Sequence, residues 1–470
     1  MDGEARTNLC KVERTKRYRH QALDTSTRQI RLIKLRRGQP DKPQCDISVF
    51  DLDSAPPFLA LSYTWGPPSP QFDILVNGES LSIRENLYQF IQAYLMITDE
   101  GVPRPPPTRW YYHWESRGDE YLWIDQICID QSSVRERNHQ VGMMAQIYSG
   151  CYGTIIWLGH IRRCPEAPLL LGDSTEQDRQ YFLRTEGSSD AVAAVSGNEY
   201  FTRLWVVQEI ILSTRKMILC SHPTAGLVWI NWGLLTRKAR LLPRQVVSTA
   251  AKYLLGDHVQ ETQMTLSYAI KTFEESRCQD PRDKVYGLMG LVKESQRIQI
   301  DYGESLEELL LDLIIVFFAE FAEFPRSWSD SYWNYYKTLK ALGRTWGVLS
   351  TSLEAFLFNT WRKPIYDQEI EGKDRKTCEY PRIRAMGFLP NALNQDTKSK
   401  MKELISCRLW DEHRPGYFEL SEWIPTQDCW WYEVDGITYE IYGLISSTSL
   451  SDEDETAGYY GKRVRQAVQQ

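Results

Sequence analysis

No run of this sequence is long and apolar enough to cross a membrane: the longest, LIIVFFA from Leu313, is bounded by Asp312 and Glu320 and falls far short of the ~20 residues a spanning helix needs. An apolar core is equally missing from the first twenty residues, so no signal peptide is expected to open the chain. The ten cysteines include no CxxC pair and no Asn-x-Ser/Thr sequon occurs, which favours a reducing, cytoplasmic setting. Positive charge is not in excess. With 55 Lys and Arg against 62 Asp and Glu, the net charge of −7 argues against a general binder of nucleic acid or anionic membrane. The one basic cluster, Lys11, Arg14, Lys16, Arg17 and Arg19, reads as a solvated, frayed tail. GxxxxGK[ST], GxGxxG and HExxH are all absent, so a P-loop, a Rossmann site and a standard zinc site lose their usual support. The dispersed histidines stand in no recognisable relation to a nucleophile, and Cys128, between Asp125 and Asp130, reads as a small core residue.

What is present is a soluble globular composition, 42% hydrophobic and 25% charged, over 470 residues, enough for about three domains. After a polar segment over 1–29, RQIRLIKLRRG alternates like a strand, and PFLALSYTWG (57–66) reads as a buried strand running into a loop. Asn77-Gly78 between two alternating runs predicts a hairpin. Leu87, Phe90, Ile91, Tyr94 and Leu95 fall on one face of a helix. Past the irregular VPRPPPTRW, EYLWIDQICIDQ reads as a second buried strand; Ser133 with Glu136 then forms a capping box opening a helix. TIIWLG (154–159), a long excursion over 160–199, the helix of YFTRLWVVQEIIL and the strand KMILC follow. This alternation predicts a three-layer α/β domain over 30–225 with a mainly parallel sheet, a mainly helical extension over 226–310 and a mixed region over 311–470.

In order, LALSYTWG (59–66), LWIDQICIDQ (122–131) running into ERNHQVGMMAQIYSGC, TIIWLG and YFTRLWVVQEIIL resemble the hallmark blocks of the fungal heterokaryon-incompatibility (HET) domain. DPRDKVYGLMGL (280–291) with IDYGESLEEL (300–309) resembles the segment that commonly follows it. The departures are small: Asp130 stands where Asn is more usual and Gly150 where Ala is. The resemblance implies a cytosolic protein of filamentous fungi that helps trigger cell death when incompatible cells fuse. It also implies a distant likeness to TIR domains, some of which cleave NAD with one helix glutamate in a Trp-x-x-x-Glu setting; Trp205 and Glu209 have that spacing. NAD is then the possible substrate and no cofactor is required.

Residues four apart share a helix face, so Trp205 and Glu209 are expected to lie together while Leu204, Val207 and Ile211 point elsewhere. An indole beside a carboxylate desolvates it and raises its pKa, and one carboxylate suffices to stabilise an oxocarbenium-like state. The alternative is that Glu209 pairs with Arg203, Arg215 or Lys216, or caps a loop. Asp125 and Asp130, expected at a strand end, either border a cleft or orient the next helix. Ser62, Tyr63 and Trp65, ending the first strand, either line the same cleft or, for the two aromatics, anchor core and loop. A second functional class stands beside the enzyme: a non-catalytic signalling module acting through protein partners or self-association.

Overall fold

The computed structural model describes residues 16–37, 42–98, 120–161, 187–222, 226–242, 249–256, 263–323 and 331–349, with five short strands beyond them. The chain divides into two compact units, 1–303 and 304–470.

The first unit is built on a nine-stranded sheet: β1 (Gln29–Arg36), β2 (Gln44–Asp51), β3 (Phe58–Tyr63), β4 (Gln71–Val76), β5 (Glu79–Arg84), β6 (Tyr121–Trp123), β7 (Gly153–His160), β8 (Lys216–His222) and β9 (Gly226–Asn231), in the order β5-β4-β2-β1-β6-β3-β7-β8-β9. Its centre, β6-β3-β7-β8, is parallel, and antiparallel pairs extend it on both sides. The sheet is therefore mixed: besides that central group only β2 and β4 pair in parallel, and the expectation of a mainly parallel sheet does not hold for the whole. Local chemistry accounts for the additions. At Asn77 and Gly78 the backbone turns with φ of 51° and 83°, placing Val76 opposite Glu79; a two-residue loop of this kind can only join antiparallel neighbours. Each of the six residues of β3 is buried, as a strand covered on both faces requires.

Helices α1 (Glu85–Thr98), α2 (Asp125–Cys128), α3 (Val134–Gly150), α4 (Gly187–Ser196) and α5 (Trp205–Leu212) accompany these strands. Ala60 pairs with Trp123 and Tyr63 with Trp157; positions three apart on a strand face opposite ways. Trp123 meets Tyr148 of α3 edge-on at 5.6 Å, and Trp157 meets Phe90 of α1 at 5.9 Å. Helices thus cover both faces, with α5 packed beside α3 on the Trp123 face.

Several local expectations change. Only Tyr121–Trp123 of the second block is strand; Ile127 and Cys128 then turn back onto the Ile124 carbonyl as α2. This turn buries both side chains and presents the Cys128 carbonyl to Arg31, overriding the β propensity of the run. The capping box is half formed. Ser133 Oγ accepts the Glu136 amide at 3.3 Å, while the Glu136 carboxylate serves the buried Arg31 at 2.5 and 2.9 Å instead. Lys16 and Tyr18, placed in the frayed tail by their sequence, bracket Ser80 of β5 with two backbone hydrogen bonds of 2.8 Å, since an edge strand has amides and carbonyls to satisfy. VPRPPPTRW and most of 160–199 lie outside the described residues.

Past β9 come α6 (Trp232–Leu241), α7 (Thr249–Leu255), α8 (Leu266–Thr272) and the short α9 (Asp283–Tyr286). The second unit holds α10 (Leu306–Glu323), which contains the LIIVFFA run, and α11 (Ser331–Trp346), with the Phe317 and Tyr335 rings 5.3 Å apart. Among the described residues no helix is long and apolar enough to cross a membrane.

Candidate functional site

In chain order the four parallel strands β3, β6, β7 and β8 lie second-first-third-fourth across the sheet. Connections leave β3 in one direction and return to β7 in the other, and in sheets of this kind ligands bind outside the carboxyl ends of the strands at such a reversal. Ser62 and Tyr63 end β3 beside Ile156 and Trp157 of β7. Ser62 shares the face of Ala60 and Trp123, against which α5 lies.

There Ser62 Oγ donates to Glu209 Oε2 and accepts from the Tyr200 hydroxyl at 2.5 Å. Ser62 and Tyr200 are fully buried and Glu209 is 3% exposed. Burial lifts the Glu209 pKa from its ordinary 4.5 to about 7. The Arg203 guanidinium and the Ser62 hydrogen bond pull the other way without cancelling the rise, and negative charge on Asp125 adds to it. Arg203 Nη1 itself donates to the Tyr63 carbonyl, so the arginine sits across the end of β3 and acts on Glu209 through its field. The sequence alternative of an Arg203 partner is realised in that longer-range form.

Asp125 stands at the head of α2, receiving the Trp65 indole N–H at 2.6 Å and the Gln126 amide at 2.7 Å. Burial of its carboxyl raises its pKa against the opposing pull of Trp65 and Arg203. The Arg84 guanidinium lies 5.0 Å over the Trp65 ring. Tyr63 projects to the opposite face; its buried hydroxyl falls short of hydrogen-bonding geometry with Asp125, whose charge adds to the rise that burial already gives the phenol. Ser62, Tyr63, Trp65, Asp125 and Glu209 thus gather around the end of β3. Asp130 does not join them. It heads α3 with Oδ1 accepting the Ser132 amide and hydroxyl at 3.0 and 2.6 Å, bonds that outweigh burial and hold its pKa low. Trp205 is half-buried, and its indole N–H goes to Asp283 Oδ2 at 3.0 Å. The desolvation of Glu209 comes from its whole surroundings, where the spacing pointed to one indole. Burial pushes the Cys128 thiol up to about 12, which suits a core residue.

Tyr200 is the site residue that periodicity did not reveal. Its 3₁₀ turn, Glu199–Thr202, interrupts any helical spacing to Glu209. The only signal was its place within YFTRLWVVQE. Among the described residues no group of three His, Cys, Asp or Glu side chains stands close enough to hold a metal ion. Chemically the cluster is a carboxyl group that changes charge near neutrality, joined to two hydroxyls by short hydrogen bonds.

The family model described as "Heterokaryon incompatibility protein (HET)" matches residues 108–209, running from before β6 into α5 and ending on Glu209. Heterokaryon incompatibility protein 6, OR allele, of Neurospora crassa is 25% identical over 376 residues, a match covering 65% of this chain and 54% of that protein. The chain thus spans about half the length of that relative. No solved structure matches.

Proposed function

We propose that this chain, which carries a heterokaryon-incompatibility (HET) domain matched over 108–209, acts in fungal non-self recognition leading to programmed cell death, with Glu209 cleaving NAD. One observation carries the enzymatic part: a carboxyl group of pKa about 7 lies with Ser62 and Tyr200 at the carboxyl end of the central strand, where the strand order reverses. The second-first-third-fourth order of the parallel strands and the placing of Glu209 between β7 and β8 support the TIR likeness.

In the proposed reaction the bond between the ribose C1′ and the nicotinamide nitrogen breaks and its electron pair leaves with nicotinamide. Ionised Glu209 stabilises the oxocarbenium-like ribose. Water adds to C1′ and gives its proton to Glu209, whose pKa near the working pH suits a general base. Glu209 is 3% exposed, so in this reading substrate reaches the carboxylate only after the packing around it opens. No cofactor enters this scheme. A protein partner, or a second copy of the chain, would supply the trigger.

The burial of Ser62, Tyr200 and Glu209, with their hydrogen bonds turned on one another, favours a second reading: a structural knot inside a non-catalytic signalling module. Purified protein incubated with NAD separates the two. Nicotinamide release by wild type and its loss in Glu209→Gln supports catalysis, whereas no release by concentrated wild-type protein sinks it.

A further inference from the structure

We propose that the segment from Arg277 to Gly290 is a splint for the helix that carries Glu209, with Asp283 as its positioning residue. The inference rests on the reading of Glu209 as the reacting carboxylate. Helix α5 has eight residues, too short a length to persist alone in water. Its own sequence does not cap it. Leu204, just before it, has helical dihedrals and a side chain that accepts no amide.

The missing partners come from downstream. The Leu204 amide donates to the Arg277 carbonyl at 2.8 Å, and the Arg277 amide donates back to the Thr202 carbonyl at 2.6 Å. Trp205, the first residue of α5, gives its indole N–H to Asp283 Oδ2, while Asp283 Oδ1 accepts the Tyr302 hydroxyl at 2.6 Å. Both carboxylate oxygens are therefore used, on a side chain whose residue is 6% exposed. A carboxylate beside the first turn also opposes the positive end of the helix dipole. Farther along, a Cβ on Gly290 would stand 2.7 Å from Gln208 Oε1, 2.9 Å from Ala145 Cβ and 3.0 Å from Leu212 Cδ1. Only glycine lets the splint come this close.

The downstream segment thus touches α5 and its lead-in at 202, 204, 205, 208 and 212, while Glu209 points across to Ser62. Glu209 lies one turn beyond Trp205, so a shift at the start of the helix is carried directly into the Ser62–Glu209 bond. Asp283 sets the pose of Glu209 through Trp205. Its carboxyl, raised to about 6 chiefly by burial, is still mostly ionised at neutral pH and accepts from both partners.

Full-length Asp283→Ala, Asp283→Asn and Tyr302→Phe test this with two measurements. The first is nicotinamide release from about pH 5 to about pH 9, which reports the ionisation of Glu209. The second is modification of Glu209 by a water-soluble carbodiimide and an amine, read by peptide mass spectrometry. Asp283→Ala is expected to lower kcat on the order of tenfold or more with little change in KM. It should also move the pH midpoint and speed Glu209 modification severalfold. Asp283→Asn, which retains one acceptor, and Tyr302→Phe, which leaves the Trp205 bond, should fall between Asp283→Ala and wild type; they carry the test if the alanine variant does not fold. A folded Asp283→Ala with the wild-type pH midpoint and modification rate overturns the proposal. Should wild type release no nicotinamide, the catalytic reading fails separately. The splint then stands on faster modification of Glu209 and falls on an unchanged rate.

Discussion

Replacing Glu209 with Gln removes one titrating proton and keeps the shape and the acceptor that Ser62 uses. An acid whose pKa is raised on folding makes the folded state prefer the protonated form. Its stabilising contribution is fully present below the unfolded value of 4.5 and is lost as the pH rises through about 7. At about 1.36 kcal/mol per pH unit, the interval from 4.5 to about 7 amounts to about 3 kcal/mol. Most of this change, about 2.5 kcal/mol, falls between about pH 5 and about pH 8. Groups distant from position 209 titrate alike in both proteins, so the difference between wild type and Glu209→Gln reports Glu209 together with its coupling to Asp125. With an unfolding entropy of ~2.1 cal/mol/K per residue over roughly 300 residues, the relative melting temperature should move by about 4 °C. Wild type is expected to lose that much against Glu209→Gln as the pH is raised, in paired calorimetric melts at the two pH values. A gap that stays constant, or moves the other way, refutes the claim that burial holds the proton on Glu209.

Two further outcomes concern the frame around the site. Glu136→Ala leaves the guanidinium of Arg31, 2% exposed, without its carboxylate and should cost about 3–5 kcal/mol in denaturant unfolding, far more than loss of an exposed pair. Gly290→Ala should cost about 1–3 kcal/mol, because the new methyl group meets Ala145 Cβ in α3, which no side-chain rotation can clear. The same melts serve as the measurement. A loss below about 0.5 kcal/mol, the range of ordinary surface changes, would show that the segment can move away from α5.

Elements whose signal is local were legible in the sequence. The Asn77-Gly78 hairpin follows from two residues that tolerate positive φ, β3 from a mostly apolar run, and α1 from apolar residues at helical spacing. The block over 121–131 was harder, because its β-branched and aromatic residues fit a strand equally well. A buried arginine on β1, distant in sequence, waits for the carbonyl that the α2 turn exposes. Glu136 likewise looked like a reciprocal cap until Arg31, 105 residues away in sequence, claimed its carboxylate.

Of the candidate site, the sequence by itself determined the chemical content: one carboxylate at position 209, a serine ending the first core strand, and an aspartate after the next. Helical spacing also put Trp205 one turn from Glu209, and that relation survives as a mechanical link through Asp283. Tertiary structure alone decided what the carboxylate meets. Ser62 lies 147 residues from Glu209, and only the parallel register of β3 with β7, under α5, brings the two within a hydrogen bond. The raised pKa has the same origin. Desolvation is a property of everything packed around a group, and no spacing along one helix encodes it.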